Sequence, residues 1–103
     1  MTKKPVHVEF SNKGLRDLIA VGRWWREHHP QRTTLFDDEM QAAIAFLEHF
    51  PEGAPLARTR RHQNARLKVL VETGHLVFYR YAKAKARITI IGVYASKATA
   101  LRP

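Results

Sequence analysis

The sequence RLKVLVETGHLVFYRYAKAKARITIIGVY occupies residues 66–94, and the stretch from Leu67 to Tyr94 decides the fold. It contains three runs of apolar and β-branched residues, joined by Thr73-Gly74 and by the basic segment Ala82–Ala86. Runs of this kind, bounded by turn residues, predict β-strands. Links this short cannot form a crossover, so neighbouring strands must run antiparallel. The stretch therefore predicts an antiparallel meander of three strands.

The last two of these strands are apolar on both faces, which is typical of interior strands. Successive side chains along a strand point to opposite faces of the sheet. A sheet with only two helices beside it can have only one face covered. We therefore expect the other face to be partly apolar and partly basic, as partner-binding surfaces often are. One face is assigned Leu76, Phe78, Ile91 and Val93, and the other Val77, Tyr79, Ile88 and Ile90.

The first half of the chain predicts one strand and two helices. Residues 6–10 alternate apolar and polar, as a strand with one buried face does. Ser11 or Asn12 can cap a helix that ends before Pro30, and a second helix ends at Pro51. The first helix has a predicted core-facing stripe, and the second has acidic residues in its first turn. The stripe of the first helix consists of Leu15, Leu18, Ile19, Gly22 and Trp25.

These elements predict a single α+β domain spanning residues 1–103, because a chain of 103 residues is long enough for one modest core. The element order is β-α-α-β-β-β. A short link between the helices makes them antiparallel neighbours. The expected architecture is an antiparallel sheet with a helical hairpin packed on one face.

The positive charge of the chain is concentrated in its second half. Residues 1–50 carry seven Lys/Arg and seven Asp/Glu, whereas residues 51–103 carry eleven Lys/Arg and two Asp/Glu. The whole net charge of +9 therefore lies in the second half. Such asymmetry favours an anionic partner, either nucleic acid or an acidic protein. The sequence contains no cysteine, signal peptide or apolar run of membrane-spanning length, so we expect a cytoplasmic location.

The residue types exclude several kinds of catalytic or cofactor site. The six histidines have no metal-ligand spacing, the two serines lie outside any nucleophile motif, and no glycine-rich loop opens a helix. We therefore expect no metal and no cofactor. A basic set remains that could bind phosphates or an acidic protein, or support metal-free RNA cleavage with His62, Tyr79, Tyr81 or Tyr94 as proton acceptor or donor. The set comprises Arg58, Arg60, Arg61, Arg66, Lys68, Arg80, Lys83, Lys85, Arg87 and Lys97.

The element order, the link through Leu47, Pro51, Gly53 and Pro55, and above all GHLVFYRY followed by RITIIGVY resemble the RelE/ParE toxin superfamily. These are the toxins of bacterial type II toxin–antitoxin modules. The resemblance extends from Val6 to about Lys97. It implies a toxin that inhibits growth and is neutralised by a cognate antitoxin.

The superfamily contains two kinds of activity. RelE-like members are ribosome-dependent messenger-RNA endonucleases, and ParE-like members inhibit DNA gyrase. Arg80 directly after Tyr79 resembles ParE-like members. The last strand ends in Tyr94-Ala95-Ser96 and so lacks the histidine of one ribonuclease branch, although ParE relatives often have a histidine where Tyr94 stands. Gyrase inhibition without catalysis is therefore the first hypothesis.

The alternative implied by the resemblance is a metal-independent messenger-RNA endonuclease, with Arg66, Lys68, Arg80 and Lys97 as its catalytic residues. In either case the antitoxin is expected to be an acidic, partly disordered segment that folds on binding. Its apolar groups would contact Leu70, Leu76 and Phe78. The expected partner-binding set also contains Arg58, Arg60, Arg61, Arg66, Lys68 and Arg80.

Overall fold

The computed structural model describes residues 4–60 and 62–96 of the chain. The element order within this part is β-α-α-β-β-β, which confirms the prediction. A short 3₁₀ turn, Lys83–Lys85, joins the last two strands. The elements are β1 (His7–Phe10), α1 (Asn12–His28), α2 (Leu35–His49), β2 (Arg66–Leu70), β3 (His75–Ala82) and β4 (Arg87–Ala95).

The four strands form one sheet in the order β1-β4-β3-β2. The antiparallel meander β2-β3-β4 is confirmed. The expectation of a fully antiparallel sheet is wrong, because β1 pairs with β4 in parallel and the sheet is mixed. Two helices separate β1 from the meander, so no tight link fixes its direction as the short turns fix the other strands.

A β-bulge between β3 and β4 corrects one predicted face. The register shifts between Phe78 and Tyr79, so that Gly92 lies opposite Phe78 and Val93 lies opposite Val77. One extra residue on β4 inverts the alternation of side chains beyond it. Val93 is therefore buried beside Val77, and not on the face of Phe78 as predicted.

The core lies between the two helices and one face of the sheet. Its largest fully buried side chains include Tyr79, Phe36 and Leu47. Trp25 is also buried, and its Nε1 donates a hydrogen bond to the carbonyl oxygen of Arg32 at 2.7 Å. In the described residues, neither helix is long and apolar enough to cross a membrane.

The predicted stripe of α1 is wrong at two positions. Leu15 and Ile19 expose 46% and 51% of their surface. The buried positions of α1 are Gly14, Gly22 and Trp25. A β-carbon at Gly14 would collide with the carbonyl oxygen of Ile90, so glycine allows α1 to approach the backbone of β4 directly. This approach rotates the helix and leaves Leu15 and Ile19 in solvent.

The start of α1 is attached to the edge of β4 by polar groups. Ser11 Oγ accepts a hydrogen bond from the amide of Gly14 at 3.0 Å, which confirms Ser11 as the helix cap. The pairing of β1 with β4 ends at Phe10 and Ile90. Beyond this point Asp17 Oδ2 accepts a hydrogen bond from the amide of Val93 at 3.2 Å. α1 thus takes the place of a neighbouring strand along the second half of β4.

Candidate functional site

The face of the sheet opposite the two helices is called the open face below. The pairing register shows which residues lie on this face, since residues opposite one another in neighbouring strands share a face. The loop that precedes β2 folds over part of the open face. The sheet residues on the open face are Leu67, Val69, Leu76, Phe78, Arg80, Thr89, Gly92 and Tyr94.

His62 in this loop covers the middle of the open face. The rings of His62 and Phe78 pack with their centroids 4.5 Å apart, and Tyr94 meets Phe78 edge-on at 5.6 Å. Phe78 consequently exposes only 7% of its surface. The open face is therefore lined at this point by His62 and Tyr94, with Phe78 beneath them.

Four polar side chains meet beside this aromatic group and are called the polar cluster: Lys13, Asp17, His62 and Tyr94. Tyr94 Oη lies 2.6 Å from Lys13 Nζ and 3.1 Å from His62 Nε2. Lys13 Nζ also donates to Asp17 Oδ2 at 2.7 Å. An ammonium group can only donate hydrogen bonds, so Tyr94 Oη accepts from Lys13 and has its own hydrogen available for His62.

The polar cluster keeps Lys13 charged. The hydrogen bonds to Asp17 and Tyr94 raise the pKa of Lys13 above its ordinary value, although partial burial opposes them. Asp17 is itself held in place by the amide of Val93. A cation from α1 is thereby fixed against the last strand of the sheet.

Gly92 provides the space in which Tyr94 lies. A β-carbon at position 92 would lie 2.8 Å from Cε2 and 3.1 Å from Oη of Tyr94. Real β-carbons essentially never approach another atom within 3.0 Å, so a larger residue would displace the ring. The glycine therefore allows the phenol to reach across β4 toward Lys13 and His62.

The cations named from the sequence lie on different sides of the sheet. Arg80 is on the open face, and its Nε donates to the carbonyl oxygen of Gln63 at 3.2 Å. Arg66 lies on the helix side and donates to the carbonyl oxygen of Ala54 at 2.7 Å. Lys68 also lies on that side, 4.7 Å from the ring centroid of Phe46. The structure thus separates Arg80 from Arg66 and Lys68.

The remaining residues named from the sequence are distributed as follows. Arg58 and Arg60 are exposed in the loop before β2, and Leu76 is partly exposed on the open face. Leu70 exposes 2% of its surface and belongs to the core. Arg61 and Lys97 lie outside the described residues.

The sequence did not single out Lys13 and Asp17 as site residues. Their i, i+4 spacing is that of an ordinary surface ion pair on a helix, so it gives no functional signal by itself. Of the four proton-transfer candidates, the structure brings His62 and Tyr94 together. Tyr79 is instead fully buried and donates to the carbonyl oxygen of Pro51 at 2.9 Å, and burial raises its pKa. In residues 4–60 and 62–96, no three His, Asp or Glu side chains are grouped as metal ligands.

Two exposed apolar surfaces lie outside the polar cluster. One is formed by Leu15 and Ile19 on α1. The other lies along β2, where Val69 and Val71 are exposed beside Phe46. Within the described part of the chain, no strand pairs with the outer edge of β2 beyond the Leu56–Arg66 bridge. Unpaired strand edges with apolar side chains are suited to strand addition by a partner.

No protein-family model matches the sequence, and no curated protein matches it. Solved structures do match. The chromosomal ParDE toxin–antitoxin system from P. aeruginosa aligns with a TM-score of 0.70 and 16% identity, covering 89% of this chain and 97% of that one. The RelBE2 toxin–antitoxin complex from Mycobacterium tuberculosis aligns with a TM-score of 0.63 and 15% identity, covering 89% and 92%.

The isolated E. coli RelE toxin aligns with a TM-score of 0.62 and 15% identity, covering 89% of this chain and 85% of that one. The aligned structures therefore include both a ParDE system and RelE-type toxins. Each alignment includes most of both chains, so the similarity concerns the whole domain and not one motif. The chain has the fold of the RelE/ParE toxin superfamily.

Proposed function

We propose that this chain is the toxin component of a bacterial type II toxin–antitoxin module, which inhibits growth in the cytoplasm and is neutralised by a cognate antitoxin. The observation that carries the proposal is the fold, which is shared over 89% of the chain with a ParDE system and with RelE. The net charge of +9 adds support, since it favours an acidic partner.

The antitoxin is expected to be an acidic segment that orders on binding. Exposed Val69 and Val71 on the edge of β2 would receive its apolar groups, and Arg58, Arg60 and Arg80 would meet its acidic groups. Leu70 would support this edge from within the core. Val71→Glu should weaken antitoxin binding at least tenfold, because it places a negative charge where an acidic partner approaches.

Toxicity is tested by inducing the chain alone and together with any small acidic protein that a neighbouring gene encodes. Growth arrest that is relieved by the neighbouring protein would support the proposal. Normal growth during induction, with the folded chain present in the cells, would refute it. Ala45→Glu, on an exposed position of α2, is a charge-matched control for Val71→Glu in the binding assay.

DNA gyrase is the target we propose first. The separation of Arg66 and Lys68 from Arg80 supports it, because these three cations do not surround one phosphate. Transition-state stabilisation requires donors aimed at the same charge. The purified chain is therefore expected to inhibit supercoiling by gyrase. Unchanged supercoiling, together with rapid loss of ribosome-bound messages, would exclude this target.

The polar cluster favours a second candidate, metal-independent cleavage of messenger RNA on the ribosome. His62 and Tyr94 form a hydrogen-bonded pair of groups that can exchange a proton. Lys13 Nζ supplies a positive charge 2.6 Å from Tyr94 Oη. In this reaction the 2′-oxygen bonds to phosphorus after losing its proton, and the bond from phosphorus to the 5′-oxygen breaks. The products are a 2′,3′-cyclic phosphate and a 5′-hydroxyl.

The two candidate functions predict different outcomes for messenger RNA in the cell. Mapping of message ends after induction would reveal 5′-hydroxyl ends only if RNA is cleaved. Tyr94→Phe should then lower the cleavage rate by about 100-fold, within the range typical of a lost acid–base group. Under the gyrase hypothesis, by contrast, messages remain intact and supercoiling falls.

A further inference from the structure

We infer that Lys13 is a positioning residue that holds the Tyr94 hydroxyl against His62, so that Tyr94 and His62 act as one proton-transfer pair on the open face. The inference extends the second candidate function above and rests on it for its catalytic consequence. The geometric part, in which Lys13 fixes the pair, concerns the protein alone and can be tested without any activity.

The hydrogen bond from Lys13 sets one direction in the network. Lys13 Nζ donates to Tyr94 Oη at 2.6 Å, so this oxygen accepts and keeps its own hydrogen for another partner. His62 Nε2, at 3.1 Å, lies within hydrogen-bond distance of the phenol oxygen. In the arrangement we infer, the phenol donates to Nε2 and the proton of the neutral His62 ring lies on Nδ1. Lys13 on α1 thereby favours this tautomer of a histidine in a distant loop.

Lys13 is held rigidly enough to have this effect. Its second partner, Asp17 Oδ2 at 2.7 Å, is also bonded to the backbone amide of Val93. Lys13 Nζ lies 4.5 Å from the centroid of the Tyr94 ring, close enough for a cation–π contact. Three elements, α1, β4 and the loop before β2, therefore converge on one phenol oxygen.

The arrangement has a direct chemical use. When Tyr94 Oη takes the proton of an RNA 2′-hydroxyl, its own proton moves to His62 Nε2, and the 2′-oxygen attacks phosphorus. The leaving 5′-oxygen takes a proton from water, and His62 then releases its extra proton to the hydroxide that forms, which restores the neutral pair. Lys13 places positive charge beside Oη throughout this transfer, where negative charge would otherwise develop unopposed. Tyr94 would contact the substrate, whereas His62, which exposes only 7% of its surface, would receive the proton from behind it.

The test uses Lys13→Met, with Lys13→Arg as the conservative variant and Lys4→Met as a charge-matched control at an exposed position before β1. The readout is the nitrogen-15 NMR spectrum of the His62 ring in the purified chain. Wild type, Lys13→Arg and Lys4→Met should show a single tautomer with Nε2 as acceptor. Lys13→Met should show a mixture. An unchanged His62 tautomer in Lys13→Met would overturn the inference.

A second measurement follows cleavage of ribosome-bound RNA by the same variants. Lys13→Met should lower kcat by about tenfold or more with little change in KM, and Lys13→Arg should recover most of the loss. Equal kcat values for wild type and Lys13→Met would overturn the positioning role. If the wild type cleaves no RNA, the second candidate function and the catalytic assignment fail, whereas the NMR result still decides whether Lys13 fixes the pair.

Discussion

The two faces of the sheet differ in how their side chains are held. On the helix side, Phe36, Leu47 and Tyr79 are almost completely excluded from water and are fixed by packing. On the open face, Tyr94 and Lys13 stay partly exposed and are fixed by hydrogen bonds with defined distances. A packed core loses stability when apolar atoms are removed, whereas a polar network changes when one of its hydrogen-bond donors or acceptors is removed. The helix side should therefore determine stability, and the open face should determine activity.

The largest expected effect concerns the helix side. Leu47 is completely buried, so Leu47→Ala should lower the free energy of unfolding by about 2–5 kcal/mol. Leu15→Ala, at a helix position that exposes 46% of its surface, is the matched control and should change it by less than about 1 kcal/mol. Urea denaturation measures both values. Similar losses in the two variants would contradict the assignment of the core.

Two glycines provide a finer comparison between backbone and side-chain contact. Gly14→Ala pushes a methyl group into the carbonyl oxygen of Ile90 and should cost about 1–3 kcal/mol or more, because the backbone cannot move aside. Gly92→Ala meets the Tyr94 ring, which can rotate away. It should cost less stability but disturb the His62 ring signals in NMR spectra. A larger loss of stability in Gly92→Ala would reverse the comparison.

Buried His75 should make stability depend on pH. Its Nδ1 contacts Thr73 Oγ1 at 2.9 Å, while Nε2 has no hydrogen-bond partner among the described residues. Burial lowers the pKa of His75 below 6.5; Glu39 opposes this shift and His29 adds to it. The unfolded chain therefore binds this proton first as the pH falls. Stability should be complete above pH 6.5 and decrease as the pH falls below it.

Urea denaturation at about pH 7.5 and about pH 5.5 checks this expectation, because these two values lie on either side of the ordinary pKa of histidine. His75→Gln should make the free energy of unfolding depend less on pH. His49→Gln, at an exposed position near the end of α2, retains His75 and should keep the dependence of the wild type. Equal pH dependence in His75→Gln and wild type would argue against a contribution from His75.

The smallest expected effect separates stability from function most sharply. Lys13 and Asp17 form a partly exposed i, i+4 ion pair, and such pairs contribute about 0.2–1 kcal/mol. Lys13→Met should therefore change the free energy of unfolding by no more than about 1 kcal/mol. Thermal denaturation beside the His62 NMR spectrum tests this directly. A large loss of stability would mean that Lys13 serves the fold more than the site.

The sequence predicted the element order because turn residues and apolar periodicity are local properties. Thr73-Gly74 and Pro51 mark element ends without reference to the rest of the chain. The helix cap at Ser11 and the three-stranded meander followed in the same way. Local patterns could not predict the parallel pairing of β1 or the face of Val93, because these depend on contacts between distant segments.

The candidate site was predictable only in part. His62 and Tyr94 were among the named proton-transfer candidates because imidazole and phenol side chains are groups that can act as acid or base in catalysis. Lys13 had no signal, since it lies 81 residues from Tyr94 in sequence. The separation of Arg66 from Arg80 depends on which face of the sheet each strand position occupies. Charge content alone does not specify that face.

By itself, the sequence determined the strands, the helices, the basic second half and the resemblance to RelE/ParE toxins, because each follows from residue types close together in the chain. Only the tertiary structure decided which of these residues meet. The glycine at position 14 brings α1 onto β4, the bulge turns Val93 inward, and Gly92 makes room for Tyr94. As a result, Lys13 from the opposite end of the chain contacts Tyr94, the last residue of the stretch that begins at Leu67.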